Sequence, residues 1–284
     1  MRIFIALGFC LLATGCATTY SGGTAPGPLP EARAFSVDKD VVFTPPDWTQ
    51  ALKADIYRPQ GAGPFPTVLV VHGGGWITGK REEMSRISRR LAEQGFVAVE
   101  IDYRLAPEFV FPSPLQDLQQ AMRWIHANAA HYAMDDQRIG AWGYSAGAEL
   151  VSLLGTLSPG DPNFAEGTRV RAVVSGGTPA DLRFAGDSTL VRKYIGHKID
   201  DEPQLYRQAS PVAFVSSDDP PMFLYHGGLD WVVGDVNARR MKDELDRVGV
   251  PAELLLVHGM GHIGVFTFGY GEDEGVAFLR RRLR

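Results

Sequence analysis

The stretch Gly143-Tyr144-Ser145-Ala146-Gly147 decides the fold of this chain. It lies between an apolar run typical of a buried strand and a run typical of a helix. Glycines at this spacing allow a turn from strand to helix that is too tight for side chains. Such a turn exposes the hydroxyl of Ser145 and points the free N–H groups of the new helix at whatever the serine attacks. The pentapeptide therefore predicts a serine nucleophile at the carboxyl end of a strand.

A second glycine-rich segment lies upstream. The apolar run Val68–Val71 reads as a buried strand and leads directly into His72-Gly73-Gly74-Gly75-Trp76. Consecutive glycines after a strand indicate that the backbone comes close to a ligand, and a flexible turn is the alternative. His72 could be a catalytic base, but it precedes the glycines at the strand end. We therefore expect it to orient the loop through a hydrogen bond.

Two further residues follow predicted strands downstream. Asp230 comes after the strand 221–227, and His262 comes after the strand 252–257. Parallel strands of an open sheet carry their ligand crevice at the carboxyl ends, so Ser145, Asp230 and His262 are expected to meet there. A serine hydroxyl needs a base that takes its proton, an imidazole suits this task near neutral pH, and a carboxylate orients the imidazole. Asp235 and His258 are the alternatives, but Asp235 lies further from its strand end and His258 still abuts its strand.

The motifs together resemble the bacterial esterase branch of the α/β-hydrolases. The segments that carry the resemblance are His72–Trp76, Asp102-Tyr103-Arg104-Leu105-Ala106-Pro107-Glu108 and Gly143–Gly147. This branch includes the hormone-sensitive-lipase-like carboxylesterases and the bifunctional acetyl/feruloyl esterases, and the match extends from about residue 40 to the C-terminus. Hormone-sensitive-lipase relatives usually have aspartate in place of Tyr144 and a longer N-terminal cap, so the resemblance favours the acetyl/feruloyl esterases.

The resemblance implies a function and a site. We expect a serine carboxylesterase that hydrolyses short-chain acyl esters through an acyl-enzyme, acetyl or feruloyl esters of sugars among them. The N–H groups of Gly74, Gly75 and Ala146 would form the oxyanion hole, and Ser145, Asp230 and His262 the catalytic triad. Trp76 would bind substrate, and Tyr144 would either line the acyl pocket or pack against the oxyanion loop.

The same resemblance suggests that Asp102-Tyr103-Arg104 forms a buried polar network that braces the glycine loop. A buried guanidinium needs a carboxylate partner. Asp102 or Glu108 is expected to pair with Arg104, and contact with an acidic substrate group is the alternative.

The rest of the chain predicts one α/β domain, residues 35–284, with a mostly parallel sheet covered by helices on both faces. Helices are predicted over 84–94, 114–130, 146–157 and 236–248, and an antiparallel edge over 41–43 and 52–58. The long segment 178–219 is predicted to form a small cap over the acyl pocket. Its expected apolar lining is Phe184, Leu190, Tyr194 and Ile195, which could instead form a local core.

The N-terminal residues resemble a bacterial lipoprotein signal. Arg2 precedes an apolar run too short to span a bilayer, and Leu12-Ala13-Thr14-Gly15-Cys16 resembles a lipobox. We expect residues 1–15 to be a signal peptide, Cys16 to be lipidated and residues 16–34 to be a flexible tether. The protein is then predicted to lie in the bacterial envelope, attached to the outer membrane, with ordinary cleavage to a periplasmic or secreted protein as the alternative.

Composition excludes several classes of function. The net charge of −5 argues against a nucleic-acid partner, because phosphate binding needs clustered positive charge. The histidines are scattered and no phosphate-binding motif is present, so neither a metal nor a cofactor is expected. Two other function classes remain open: an aryl-formamidase or peptidase that uses the same triad on amides, and a non-catalytic binding lipoprotein.

Overall fold

The computed structural model describes residues 17–23, 25–186 and 188–283. The predicted signal peptide, residues 1–15, and the predicted lipidation site Cys16 lie outside the described residues.

The described residues form a single nine-stranded sheet in the order β1-β9-β8-β7-β6-β4-β5-β3-β2. The strands are β1 (Thr18–Ser21), β2 (Phe35–Val42), β3 (Lys53–Pro59), β4 (Phe65–Val71), β5 (Val97–Ile101), β6 (Met134–Tyr144), β7 (Val173–Gly176), β8 (Met222–Gly227) and β9 (Ala252–Val257). Six of them, β4 to β9, pair in parallel, whereas β1, β2 and β3 pair antiparallel. The predicted antiparallel edge is confirmed, because β2 pairs with β3.

Helices cover both faces of this sheet. They are α1 (Ser85–Glu93), α2 (Ser113–Asn128), α3 (Ala146–Thr156), α4 (Thr189–Ile195), α5 (Pro203–Gln208), α6 (Val236–Arg247), α7 (His262–Phe268) and α8 (Glu272–Arg282). Short 3-10 turns occupy Arg81–Met84, Leu182–Phe184 and Pro211–Phe214.

Alternate residues of the central strand β4 enter two separate cores. Leu69 and Val71 pack in the core that contains apolar residues of α2, α3 and α6, whereas Val68 and Val70 pack in the core of α1 and α8. A strand buried on both faces reads as a continuous apolar run, as β4 does. The predicted architecture, a mostly parallel sheet between two helical layers, is confirmed.

The N-terminal segment departs from its prediction. Residues 16–34 were expected to be a flexible tether, but β1 pairs antiparallel with β9, with Thr18 opposite Val257. The tether prediction is therefore wrong for Thr18–Ser21, the residues of β1. Without β1, the apolar strand β9 would be a sheet edge with unpaired N–H and C=O groups, and threonine and tyrosine suit an edge strand. The folded domain therefore begins before residue 35.

The segment 178–219 connects β7 to β8 and contains α4, α5 and two 3-10 turns. Within the described residues, no helix combines the length and the apolar composition that crossing a bilayer requires.

Candidate active site

Ser145 occupies the tight turn between β6 and α3, with φ 55° and ψ −120°. A Cβ atom on Gly143 would lie 2.1 Å from the carbonyl oxygen of Gly147, and one on Gly147 would lie 2.3 Å from that of Val71. Both positions therefore require glycine. The packing around the turn holds Ser145 in a backbone conformation that non-glycine residues rarely adopt.

The structure brings Ser145, His262 and Asp230 together. His262 begins α7, and its Nε2 lies 2.8 Å from the Oγ of Ser145. Its Nδ1 lies 2.6 Å from Oδ2 of Asp230, which is in the loop after β8. Both the histidine and the aspartate are buried. This arrangement allows proton transfer from the serine to an imidazole that a carboxylate orients.

Asp230 is held in its ionised form. Its Oδ1 accepts hydrogen bonds from the backbone N–H groups of Val232 (2.9 Å) and Val233 (2.8 Å). Burial by itself would raise the pKa of Asp230, but hydrogen bonds from His226, His262 and the Val233 N–H hold that pKa well below its usual range. The carboxylate can therefore stabilise a positive charge on His262.

The two alternative residues have other partners. Asp235 precedes α6 and forms an ion pair of 2.9 Å with Arg239. His258 lies 2.7 Å from Oγ1 of Thr19 through its Nε2, and its backbone N–H donates to the carbonyl of Ala17. The geometry therefore favours Asp230 and His262.

The glycine loop is held rigidly beside the serine. Gly74 and Gly75 have φ of 104° and 59°, and a Cβ on Gly74 would lie 2.1 Å from the carbonyl oxygen of Thr78. In the described part of the chain, no protein group accepts a hydrogen bond from the N–H of Gly74, Gly75 or Ala146. Three donors near the serine are therefore free for an oxyanion.

His72 is a structural residue of this loop. Its Nδ1 lies 2.7 Å from the carbonyl oxygen of Gly73, and its ring stacks on Tyr103 with centroids 4.2 Å apart. The Tyr103 hydroxyl donates to the carbonyls of His72 and Gly73. Burial lowers the pKa of His72, so the ring is neutral. The predicted orienting role and the predicted bracing by Tyr103 are confirmed.

A cavity of about 750 Å³ opens above the serine. Gly74, Gly75, Ser145 and His262 line its floor. Its apolar walls come from the segment 178–219, the loop after β8, and the helices α6 and α7: Leu182, Phe184, Leu190, Val191, Val232, Val236, Ile263 and Phe266. This is an apolar pocket with a few convergent polar groups, as expected for a small-molecule site.

Comparison with known proteins identifies the family. The BD-FAE family model matches residues 54–245, which is most of the chain. The chain belongs to the BD-FAE family. It is 34% identical over 248 residues to the probable carboxylic ester hydrolase LipM of Mycobacterium tuberculosis, an alignment that covers 80% of this chain and 57% of LipM. It is also 34% identical to the esterase LipC of that organism, with 70% of this chain and 53% of LipC covered. The chain thus spans little more than half the length of these curated relatives.

Solved structures agree on the fold. A truncated carbohydrate esterase from gut microbiota superposes with a TM-score of 0.78 at 26% identity, covering 90% of this chain and 99% of that one. The esterase Est2 of Thermogutta terrifontis superposes with a TM-score of 0.69 at 23% identity, covering 88% and 90% of the two chains. The α/β-hydrolase fold expected from the sequence is confirmed.

The cap of this BD-FAE domain is partly as predicted. Phe184 and Leu190 line the cavity, whereas Tyr194 and Ile195 are fully buried in the core. The lining prediction is wrong for those two residues, because they lie on the face of α4 that packs against the domain. Both belong to the main core of the domain, so the alternative, a local core of the segment, does not describe them either.

The BD-FAE domain contains a buried carboxyl group that sequence reasoning missed. Glu149 is fully buried on α3, and its Oε2 accepts hydrogen bonds from Trp76 Nε1 (2.9 Å) and the Tyr194 hydroxyl (3.4 Å). Burial raises the pKa of Glu149 well above its usual value, against the hydrogen bonds from Trp76 and Tyr194, and so favours the protonated form. A glutamate in the first turn of the otherwise apolar helix α3 is the signal that could have revealed it.

The two predicted substrate-binding residues both line the cavity. Trp76 stacks on Tyr194 with ring centroids 4.4 Å apart and an interplanar angle of 2°. The Tyr144 hydroxyl donates to the backbone carbonyl of His262 (2.5 Å), and its ring lies 4.7 Å from that of Phe266. Tyr144 therefore supports His262 as well as forming a wall of the cavity.

A second missed residue is His226, which is fully buried at the end of β8. Its Nε2 lies 2.7 Å from the carbonyl oxygen of Val233 and 3.2 Å from Oδ2 of Asp230. The histidine that precedes the acid by four residues in His226-Gly-Gly-Leu-Asp230 is the sequence signal. His226 fixes the loop that carries Asp230.

The predicted partners of Arg104 are wrong. Arg104 Nε lies 2.8 Å from Oδ1 of Asp117, a fully buried residue of α2, and neither Asp102 nor Glu108 is its partner. Asp102 instead pairs with Arg81 at 2.6 Å. The physical reason is that Asp117 is buried and needs a countercharge, and packing of α2 against the sheet brings the two together.

The described residues contain no cluster of three histidine, cysteine, aspartate or glutamate side chains that could hold a metal ion.

Proposed function

We propose that this protein is a serine carboxylesterase that hydrolyses short-chain acyl esters. The observation that carries the proposal is the hydrogen-bonded line from Ser145 Oγ through His262 to Asp230, at the floor of an apolar cavity. The names of its relatives LipM and LipC support the same reaction class.

The geometry supports a two-step mechanism. His262 Nε2 takes the proton of Ser145 as Oγ attacks the ester carbonyl, and the N–H groups of Gly74, Gly75 and Ala146 stabilise the oxyanion. His262 then gives that proton to the leaving alcohol, and the acyl-enzyme forms. A water molecule activated by His262 attacks the acyl carbon, which releases the acid and returns the proton to Ser145.

The cavity also favours a class of leaving group. Its walls hold the acyl chain, while Asp181, Asn237 and Arg240 place polar groups in the lining. Such groups suit a polar alcohol, and the carbohydrate esterase that superposes on this chain supports acetyl or feruloyl esters of sugars. A series of 4-nitrophenyl esters of increasing acyl length, followed by acetylated and feruloylated sugars, tests this. Equal rates on matched formanilides would favour the amide-hydrolase alternative.

Removal of the nucleophile or the base tests the mechanism. Ser145→Ala and His262→Ala are each expected to lower kcat by about 10⁴-fold or more, and their effects should not multiply because the residues act as a unit. Ser36→Ala, an exposed serine of β2, and His258→Ala are matched controls that should retain activity. A Ser145→Ala enzyme with a tenth of wild-type activity would contradict the proposal, as would failure of a fluorophosphonate to label Ser145, which would favour a binding protein.

We further propose that residues 1–15 are removed and that Cys16 carries a lipid that attaches the protein to the outer membrane. The lipobox-like sequence Leu12–Cys16 supports the lipid. The residue after Cys16 is Ala17 rather than the aspartate associated with retention at the inner membrane, which supports the outer membrane. Metabolic labelling with a radioactive fatty acid should mark the wild-type chain and not Cys16→Ser. An unlabelled wild-type chain in the periplasm would support ordinary cleavage instead.

A further inference from the structure

Large apolar side chains are exposed around the mouth of the cavity. Trp231 is 92% exposed, and Phe184 and Ile263 are each about 70% exposed. We call the following group the apolar rim: Phe184, Leu229, Trp231, Val232, Val236 and Ile263. Four of these line the cavity, and Leu229 and Trp231 belong to the same loop as Val232. Apolar side chains gathered at one site, rather than scattered singly, mark an interaction surface.

The rim is built from three separate parts of the chain. Phe184 belongs to the segment between β7 and β8, Leu229 to Val236 run from the loop after β8 into α6, and Ile263 lies on α7. The carboxyl edge of the sheet brings these parts together. The exposed surface is therefore a property of the cavity entrance as a whole.

The N-terminal segment enters the sheet at this same edge. Since β1 is antiparallel to β9, Thr18 lies opposite Val257, the last residue of β9. The His258 N–H donates to the Ala17 carbonyl (2.8 Å), and the Gly228 N–H donates to the Val257 carbonyl (2.9 Å). Gly228 begins the loop that carries Trp231. The first described residue, Ala17, therefore lies beside the loop of the rim, and Cys16 is its neighbour in the sequence.

We propose that the apolar rim docks on the surface of a lipid bilayer, so that the cavity opens toward the membrane. The proposed lipid anchor precedes Ala17, which lies at the same edge of the sheet as the rim, and this argues for a bilayer as the occupant. A tryptophan with one polar N–H suits the membrane interface. A lipid anchor and a small apolar surface reinforce each other, because stable attachment to a membrane usually takes two signals. The proposal rests on the proposed esterase function and lipid anchor, and it adds that esters at the membrane surface are accessible substrates.

Quenching of tryptophan fluorescence tests the orientation. The chain has five tryptophans, and Trp231 is the exposed one, since Trp48, Trp76, Trp124 and Trp142 are buried or half-buried. The full-length lipidated chain is reconstituted in phosphatidylethanolamine/phosphatidylglycerol vesicles with and without brominated acyl chains. The emission of Trp231 is the difference between wild type and Trp231→Phe. We expect the brominated acyl chains to quench most of it. Equal Trp231 emission in the two kinds of vesicle would overturn the docking.

Kinetics give an independent measurement. Trp231→Ser should lower the rate on 4-nitrophenyl decanoate partitioned into the vesicles about tenfold, because it removes the largest apolar contact. Its rate on soluble 4-nitrophenyl acetate should be unchanged. Val42→Ser, at an exposed apolar residue of the far edge strand β2, is the matched control and should change neither rate.

The outcomes separate the two proposals. A wild type that hydrolyses neither the decanoate nor the acetate would overturn the esterase function, while the quenching would still test the docking. A normal acetate rate without quenching would overturn the docking alone. A dimer in solution that Trp231→Ser dissociates would assign the rim to a second copy of the chain, and would also overturn the docking.

Discussion

At the scale of single residues, the carboxylate of Asp230 is held by more than His262. His226 and His262 both approach its Oδ2, at 3.2 and 2.6 Å, while two backbone N–H groups hold Oδ1. The acid is therefore fixed in position before substrate binds, and one contact can be removed without touching Ser145 or His262.

Replacing His226 should affect the chemical step more than binding. In His226→Phe, the hydrogen bond from the imidazole to the Val233 carbonyl is lost, and the Asp230 carboxylate loses a donor. His262 is then less well oriented. We expect kcat to fall about 10- to 100-fold with little change in KM. His226→Gln, whose amide can donate to the same acceptors, should recover part of the loss. An equal change in both variants, or a change confined to KM, would contradict this positioning role.

Glu149 should behave as a neutral hydrogen-bond acceptor. Glu149→Gln keeps an acceptor for Trp76 and Tyr194 and should retain activity within about twofold at pH 7. Glu149→Leu leaves both donors buried and unpaired, so the free energy of unfolding should fall by about 2–4 kcal/mol. The raised pKa means that this stabilisation is lost as the pH rises through the folded-state pKa. Thermal unfolding of wild type over a series of increasing pH values should therefore show a loss of stability that Glu149→Gln lacks.

At the scale of elements, the elbow between β6 and α3 depends on backbone contacts that no larger residue allows. Gly143→Ala would place Cβ 2.1 Å from the Gly147 carbonyl oxygen. We expect kcat/KM to fall at least about 100-fold and the protein to lose several kcal/mol of stability, because the rigid packing can relax only by moving Ser145. Gly27→Ala, where nothing lies within 4 Å of the added carbon, is the control. Wild-type kinetics in Gly143→Ala would show that the turn tolerates a side chain.

The elements show where sequence reasoning succeeds. The helix predicted over 84–94 is observed as Ser85–Glu93, and the strand predicted over 252–257 as Ala252–Val257. Both have strong local periodicity. Strand β1 was missed because its residues resemble a linker in composition, and what makes them a strand is the free edge of β9, more than 200 residues away.

At the scale of the whole molecule, the site contains both residues that have a local sequence signal and contacts that depend on tertiary packing. Chain order and strand ends predicted Ser145, Asp230 and His262, because each lies beside its own local signal. The pairing of Arg104 with Asp117 depends on how α2 packs against the sheet, and that of Glu149 with Tyr194 on how the cap folds back. Neither interaction has a local signal, so the sequence could not specify the partners.

Two buried carboxyl groups should make global stability depend on pH. Burial raises the pKa of Glu100 to about 7, against hydrogen bonds from Ser88 and Tyr57. Burial likewise raises the pKa of Glu272 to about 7, against the charge of Arg86. Because the folded-state pKa values lie above those of the unfolded chain, this contribution to stability is fully present below about pH 4.5 and is lost as the pH rises through 7. Each pKa unit corresponds to about 1.4 kcal/mol, so about 3 kcal/mol is involved for each group.

Stability should therefore fall between pH 5 and 8, and the melting temperature should decrease over this range. Glu100→Gln should make the melting temperature less dependent on pH, and the exposed Glu166→Gln should leave that dependence unchanged. Calorimetry at several pH values measures the melting temperature of each variant. A wild-type melting temperature that increases up to pH 8 would mean that Glu100 and Glu272 do not control stability in this range, since their deprotonation can only favour the unfolded chain.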